Sequence, residues 1–267
     1  MVPTKPVVDV KLIRDWLKEA GQIALSQWAD RIVDIKADLT PVTQIDRQVE
    51  DFLLEQIERT YPGHGILAEE GSIRSGKDFT WIIDPIDGTR AFASGLPVWG
   101  ISVGVFHQGE PYAGAFYMPA TGEMYWGSQE EAYCNERKLV PWVRVDLNSS
   151  LAFIAVPSNA HLHFDISFPR LRSLGSVTAH LAYVAHGKAT AALTRQIRLW
   201  DIAAVLPTLR ISQTQLVYLS GETLNPKDLL NGELTPEPLI AAHFSIIDQV
   251  RACIELKSAG SSSSVSI

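Results

Sequence analysis

The chain has 267 residues, 46% of them hydrophobic and 20% charged, with a formal net charge of -7. That length supports one large core or two packed subdomains, and the acidic balance argues against nonspecific nucleic-acid binding, which needs a basic surface. Phosphorylated ligands remain open, because a bound divalent cation inverts the local field. Cys134 and Cys253 are far apart and sit in no metal-ligand spacing; this points away from a disulfide framework and toward a reducing cytoplasm. The opening Met1-Val2-Pro3-Thr4-Lys5 has no apolar signal region behind it, and no apolar run approaches the length of a membrane span. A soluble, cytoplasmic protein with no membrane partner is expected.

In chain order, Val10, Ile13, Trp16, Leu17, Ala20 and Ile23 recur at helical spacing and predict a helix from Val8 to about Arg31. Lys36 to Thr43 reads as an irregular loop. A second amphipathic helix is predicted from Thr43 to Tyr61, ended by Pro62-Gly63-His64-Gly65. Gly65-Ile66-Leu67-Ala68 runs into Glu69-Glu70, and Phe79 to Ile83 reads as a buried strand that leads into Asp84. Ile101–Phe106, Tyr112–Met118 and Glu123–Trp126 are separated by turn signals and predict antiparallel strands, with a further hairpin over Ala132–Val145. Beyond Asn148 the texture alternates. Strands are expected at Leu151–Val156, Ala189–Leu193 and Leu216–Leu219. Helices are expected at Val177–His186, Ile202–Ser212 and Leu239–Leu256. The serine-rich end, Ser258 to Ile267, reads as a disordered tail. The pattern divides the chain into an α+β subdomain with an antiparallel sheet (residues 1–147) and an α/β subdomain (residues 148–267), a mixed α/β architecture.

The chemistry concentrates at Asp84-Pro85-Ile86-Asp87-Gly88-Thr89, on the end of a strand. Two carboxylates three residues apart in a turn can point at one ion; equally, Asp87 can cap a helix beginning near Thr89. Pro85 fixes the chain direction between the acids and Gly88 permits close backbone approach. The amides of Gly88, Thr89 and Arg90 then open a helix, which suits a phosphate. Carboxylates beside a phosphate need a cation between them, and an all-oxygen donor set suits Mg²⁺. Glu69-Glu70 reads either as a second acidic strand end or as a solvated pair. Asp201, between Trp200 and Ile202, reads as a ligand or a helix cap, and Asp46 as an acid on a first helical turn.

Four stretches together carry a resemblance: Asp38-Leu39-Thr40-Pro41-Val42-Thr43-Gln44-Ile45-Asp46, Ile66-Leu67-Ala68-Glu69-Glu70, Trp81 to Thr89, and Leu199-Trp200-Asp201-Ile202-Ala203-Ala204. In this order the chain resembles the inositol monophosphatase family. The resemblance implies a layered αβαβα sugar-phosphatase fold, a homodimer, and two or three Mg²⁺ ions in a lithium-sensitive site. It implies metal ligation by Glu69, Asp84, the Ile86 carbonyl, Asp87 and Asp201. Catalytic roles fall on Glu69, Thr89 and Asp46. Substrate contacts fall on Asp87, Gly88, Thr89, Arg90 and Thr194. The reaction implied is hydrolysis of a small sugar, polyol or amino-alcohol phosphate by an activated water. Arg90 and the following Gly95 to Gly100 look more like the histidinol-phosphatase branch. Thr194 stands where inositol-handling members place a glutamate, and it brings no carboxylate. Arg195 and Arg198 are read either as partners for a second anionic group or as solvated charges. A fructose 1,6-bisphosphatase activity and a noncatalytic metabolite-binding role on the same fold are the alternatives. His161 and His163 read as surface or dimer-contact residues rather than metal ligands, and His107 and His180 receive no assignment.

Overall fold

The computed structural model describes residues 8–28, 33–35, 41–141 and 146–257. The first predicted helix forms as α1 (Val10–Gln27), started by Asp9, whose carboxylate accepts from the Lys11 amide at 2.8 Å. Next, β1 (Val33–Ile35) pairs antiparallel with β2 (Pro41–Thr43). The expected loop from Lys36 to Thr43 therefore ends in a strand. Pro41 opens that strand, a position where a missing N–H is tolerated. Asp38-Leu39-Thr40 and the serine-rich tail lie outside the described residues. The second helix, α2 (Gln44–Thr60), ends before Pro62 as expected.

The first half then builds a mixed sheet of eight strands. These are β3 (Gly65–Ala68), β4 (Ile73–Arg74), β5 (Phe79–Asp87), β6 (Gly100–His107), β7 (Glu110–Met118), β8 (Glu123–Ser128), β9 (Ala132–Cys134) and β10 (Arg137–Lys138), with the short helix α3 (Thr89–Ser94) after β5. Their spatial order is β10-β9-β8-β7-β6-β5-β3-β4. Neighbours run antiparallel except β3 and β5, which are parallel. The hairpin expected at Ala132–Val145 closes by Lys138; residues 142–145 lie outside the described residues.

The second half contains β11 (Ile154–Ala155), α4 (Ala160–His163), β12 (Phe164–Ile166), β13 (Leu171–Arg172), α5 (Val177–His186), β14 (Ala191–Leu193), α6 (Leu206–Ile211), β15 (Thr214–Tyr218), β16 (Leu239–His243), α7 (Ile247–Arg251) and β17 (Ile254–Leu256). Five of these form a second sheet in the order β13-β11-β14-β16-β15, and β12 pairs with β17. Two expected helices are corrected. The run from Leu239 to Leu256 is strand, one helical turn and strand. Leu239–His243 is buried on both faces as a central strand, and its continuous apolar run carries no periodicity to separate it from a buried helix. The run from Ile202 to Ser212 is helical only from Leu206. Before it, Ala203 and Ala204 press against the sheet backbone so closely that a methyl group at Gly104 or Gly114 would collide with them.

Side-chain alternation along the strands sorts the core into three layers. Trp81, Ile83, Ile101, Val103, Val105, Ala113 and Ala115 pack under α1 and α2. Ile82, Phe116, Met118, Ala192, Leu239 and Ala241 face a middle layer containing α5 and α6. Ile154, Ala191, Leu193, Ile240 and Ala242 pack against α7. Helices, sheet, helices, sheet, helices follow in order, the αβαβα arrangement expected from the resemblance.

Candidate metal centre

Parallel pairing of β3 with β5 sets the first two acids side by side. Ala68 is in register with Ile83, and the next amide, Glu69 N–H, donates to the Ile83 carbonyl at 3.1 Å. Glu69 and Asp84 therefore leave adjacent strands at the same level, close enough that the Glu69 charge disfavours ionisation of Asp84. Behind them, Glu50 on α2 is almost fully buried. It accepts from the Glu70 amide at 3.0 Å and the Ser72 hydroxyl at 2.7 Å, which pins the loop that delivers Glu69.

Asp87 reaches the same side through a bulge. Residues three apart on a regular strand point to opposite faces. Between Asp84 and Asp87, β5 carries one residue more than β6, because Asp84 pairs with Ser102 and Asp87 with Gly100. The extra residue resets the alternation: Ile86 turns to the outer core, and both aspartates face the middle layer. Pro85 sits inside the bulge, where no ladder N–H is needed. Asp87 then caps a helix, though not the neighbouring one considered from sequence. The N-cap of α3 is Gly88, with no side-chain hydrogen bond. Asp87 Oδ2 instead accepts from the Ser176 hydroxyl at 2.5 Å and the Thr178 amide at 2.7 Å, and Oδ1 accepts from Val177 N–H at 3.3 Å, at the start of α5. Gly88 has φ +88°, and a Cβ there would lie 3.1 Å from the Gly175 carbonyl oxygen, so glycine alone fits without strain.

Asp201 comes from the second half. It closes a 3₁₀ turn, Leu199–Asp201, and its Oδ2 accepts from the Arg198 amide at 2.7 Å. The turn is tied to β6 by the Ser102 hydroxyl, which donates to the Trp200 carbonyl at 3.3 Å, and to α5 by the Thr178 hydroxyl, which donates to the Asp201 carbonyl at 2.8 Å. One oxygen from each of Asp84, Asp87 and Asp201 lies within 4.8 Å of the other two.

This cluster is electrostatically incomplete. Burial, then the charges of Glu69, Asp87 and Asp201, holds the Asp84 carboxyl well above the usual carboxylate range. Burial, then Asp87 and Glu69, does the same to Asp201. Burial raises Asp87 too, opposed by its hydrogen bonds from Ser176 and Thr178. Among the described residues Asp84 Oδ1 is buried with no hydrogen-bond partner. A buried, unpaired carboxylate oxygen facing two more acids fits a hard divalent cation, which satisfies the oxygen and offsets the repulsion.

The remaining sequence candidates lie on several elements. Asp46, on the first turn of α2, is 1% exposed. The Thr89 hydroxyl donates to the Ile86 carbonyl at 3.0 Å, leaving its lone pairs available. Arg90 and Thr194 both line a cavity of about 420 Å³ that also includes Ser176. The Thr194 hydroxyl donates to its neighbour, the Arg195 carbonyl, at 3.0 Å. Arg195 is exposed, while Arg198 is held by the Gly232 carbonyl and the Trp200 ring. His107 stacks on Phe79, and His161 and His163 lie on α4, away from the acids. Sequence reasoning missed Glu50, Ser102, Ser176 and Thr178. Ser176 had a local signal, as a serine before a helix start; the others depend on which elements meet.

An αβαβα protein in which carboxylates suited to a hard cation converge beside the ends of β3 and β5 defines the class. The chain belongs to the inositol monophosphatase family, whose sequence profile matches residues 8–253, and with it to the phosphatases. The inositol-1-monophosphatase of Bacillus subtilis is 34% identical over 73% of this chain and 79% of its own length. A histidinol-phosphatase of Chlorobaculum parvum is 31% identical over 74% and 81%. The structure of a Thermotoga maritima IMPase superposes with a TM-score of 0.79 at 26% identity, covering 91% of this chain and 95% of that one.

Proposed function

We propose that this chain is a divalent-cation-dependent phosphomonoesterase acting on a small phosphorylated alcohol. The observation that carries the reading is the converging trio of the buried Asp84 and Asp87 with the partly buried Asp201, together with Asp84 Oδ1, which has no hydrogen-bond partner among the described residues. Together with Glu69 and the Ile86 carbonyl, these residues would hold two or three Mg²⁺ ions. When bound, such ions supply Lewis acidity that makes water acidic and offsets phosphoryl charge. The chain's own groups do the rest. Glu69, at the rim, accepts the proton of the attacking water. Thr89 and Asp46 orient that water. The amides from Gly88 to Arg90 hold the phosphate for in-line displacement, and Ser176 and Thr178 keep Asp87 fixed through the reaction. Lithium sensitivity and a homodimer accompany this reading. Among the described residues no helix is long and apolar enough to cross a membrane.

The test is phosphate release from inositol 1-phosphate, histidinol phosphate and fructose 1,6-bisphosphate, with Mg²⁺ and with EDTA. Turnover of at least one that depends on Mg²⁺ is expected, and Asp87→Asn should lower it by roughly 10² or more. No Mg²⁺-dependent release from any of them refutes the reading.

A further inference from the structure

The cavity of about 420 Å³ lined by Ser176 adjoins the acidic trio through the hydrogen bond from the Ser176 hydroxyl to Asp87, which places it to receive the alcohol portion of a substrate whose phosphate sits at the trio; this inference rests on the phosphatase reading. Its wall includes His180, which the acidic chemistry does not use. His180 is 4% exposed, and its Nε2 accepts from the Leu174 amide at 3.1 Å. An imidazole nitrogen that accepts an N–H bond carries no proton, so the proton resides on Nδ1. Among the described residues Nδ1 makes no hydrogen bond, and the ring borders the cavity. Burial alone pushes this imidazole down to about 4, so at neutral pH it is an uncharged donor.

The rest of the lining is consistent in sign. Arg90 is its one charged side chain, and Ser158, Asn159 and Ser173 add neutral polar groups. No carboxylate side chain lines the cavity among the described residues, and Thr194 spends its hydroxyl proton on the backbone. An ammonium group placed here would find a guanidinium and no anionic acceptor. Hydroxyl or anionic oxygens would find donors at His180 and Arg90.

We infer that this cavity selects a polyol or sugar leaving group over an amino-alcohol one, with His180 as a specificity-determining donor. His180 binds the leaving alcohol and takes no part in phosphoryl transfer. Asn at position 180 places an amide nitrogen near the Nδ1 position; Gln reaches instead toward the Nε2 position and loses the cavity-facing donor.

The experiment compares kcat/KM for inositol 1-phosphate, histidinol phosphate and p-nitrophenyl phosphate in the full chain with Mg²⁺. Wild type should favour the polyol phosphate over histidinol phosphate by at least about tenfold. His180→Gln should raise KM for the polyol phosphate by about 3- to 10-fold, the worth of one neutral hydrogen bond, and by more than for p-nitrophenyl phosphate, which has no hydroxyl groups on its leaving group. His180→Asn should recover part of the loss. A preference for histidinol phosphate, or equal losses on both substrates in His180→Gln, overturns the inference and leaves the phosphatase reading intact. Absence of turnover on all three substrates strikes at that reading instead. If His180→Gln does not fold, the wild-type ratio alone decides.

Discussion

Replacing Asp84 by Asn separates the stability of the metal centre from its function. Three carboxylate oxygens lie within 4.8 Å of one another, and Asp84 Oδ1 has no partner among the described residues. Two full charges at that separation repel by roughly 3 kcal/mol in a medium of effective dielectric about 20. Proton uptake relieves part of this, as the raised Asp84 and Asp201 pKa directions indicate. Asn removes one charge and supplies an N–H₂ donor to the neighbouring acids. Without metal, Asp84→Asn should therefore be more stable than wild type by about 2 kcal/mol, an increase in Tm of about 4–8 °C for a chain of this size. With saturating Mg²⁺ the order should reverse, because wild type gains binding free energy, about 3 kcal/mol at a hundredfold excess over Kd, that the variant cannot. Differential scanning calorimetry in EDTA and in Mg²⁺ measures both. A variant that is less stable than wild type in EDTA, or that keeps the full Mg²⁺-induced shift, would refute the electrostatic argument.

Two further outcomes follow from buried groups. Glu50→Ala strands the Glu70 amide and the Ser72 hydroxyl. It should cost about 2 kcal/mol and raise the Mg²⁺ concentration for half-maximal thermal stabilisation several-fold, with Glu50→Gln recovering part of both; an unchanged Mg²⁺ midpoint would detach Glu50 from the Glu69 loop. His180 is uncharged when folded, with a pKa of about 4 against 6.5 for an ordinary histidine. The unfolded chain binds more protons between those values, so stability is fully present above about pH 6.5 and falls as pH drops toward 4. The loss is about 3 kcal/mol at most. The unfolding free energy of wild type minus that of His180→Asn should decline over this window in urea titrations, and a flat difference would show that the imidazole is not held neutral.

Much of the fold was legible because its signals are local. The helical repeat of Ile13, Trp16, Leu17 and Ala20 marked α1, and turn residues at Gln108-Gly109 and Thr121-Gly122 separated β6, β7 and β8. The failures came where local signals are degenerate. Leu239–His243 is apolar on both faces, and only its place between β14 and β15 makes it a strand. Ala203 and Ala204 have high helix propensity, yet packing against Gly104 and Gly114 takes precedence.

The same division runs through the site. Residue types at Asp84, Asp87, Glu69 and Asp201 fixed the chemistry available: oxygen donors, negative charge, and a glycine that lets the chain turn. Their convergence did not follow from spacing. It came from the parallel register of β3 on β5, from the one-residue bulge that turns Asp84 and Asp87 to a common side, and from the helix α5 whose N-terminus meets Asp87 about 90 positions along the chain. The physical reason is range. Propensity and turn chemistry act over a few residues, whereas the repulsion among these acids and the hydrogen bonds that fix them exist only once distant segments have packed.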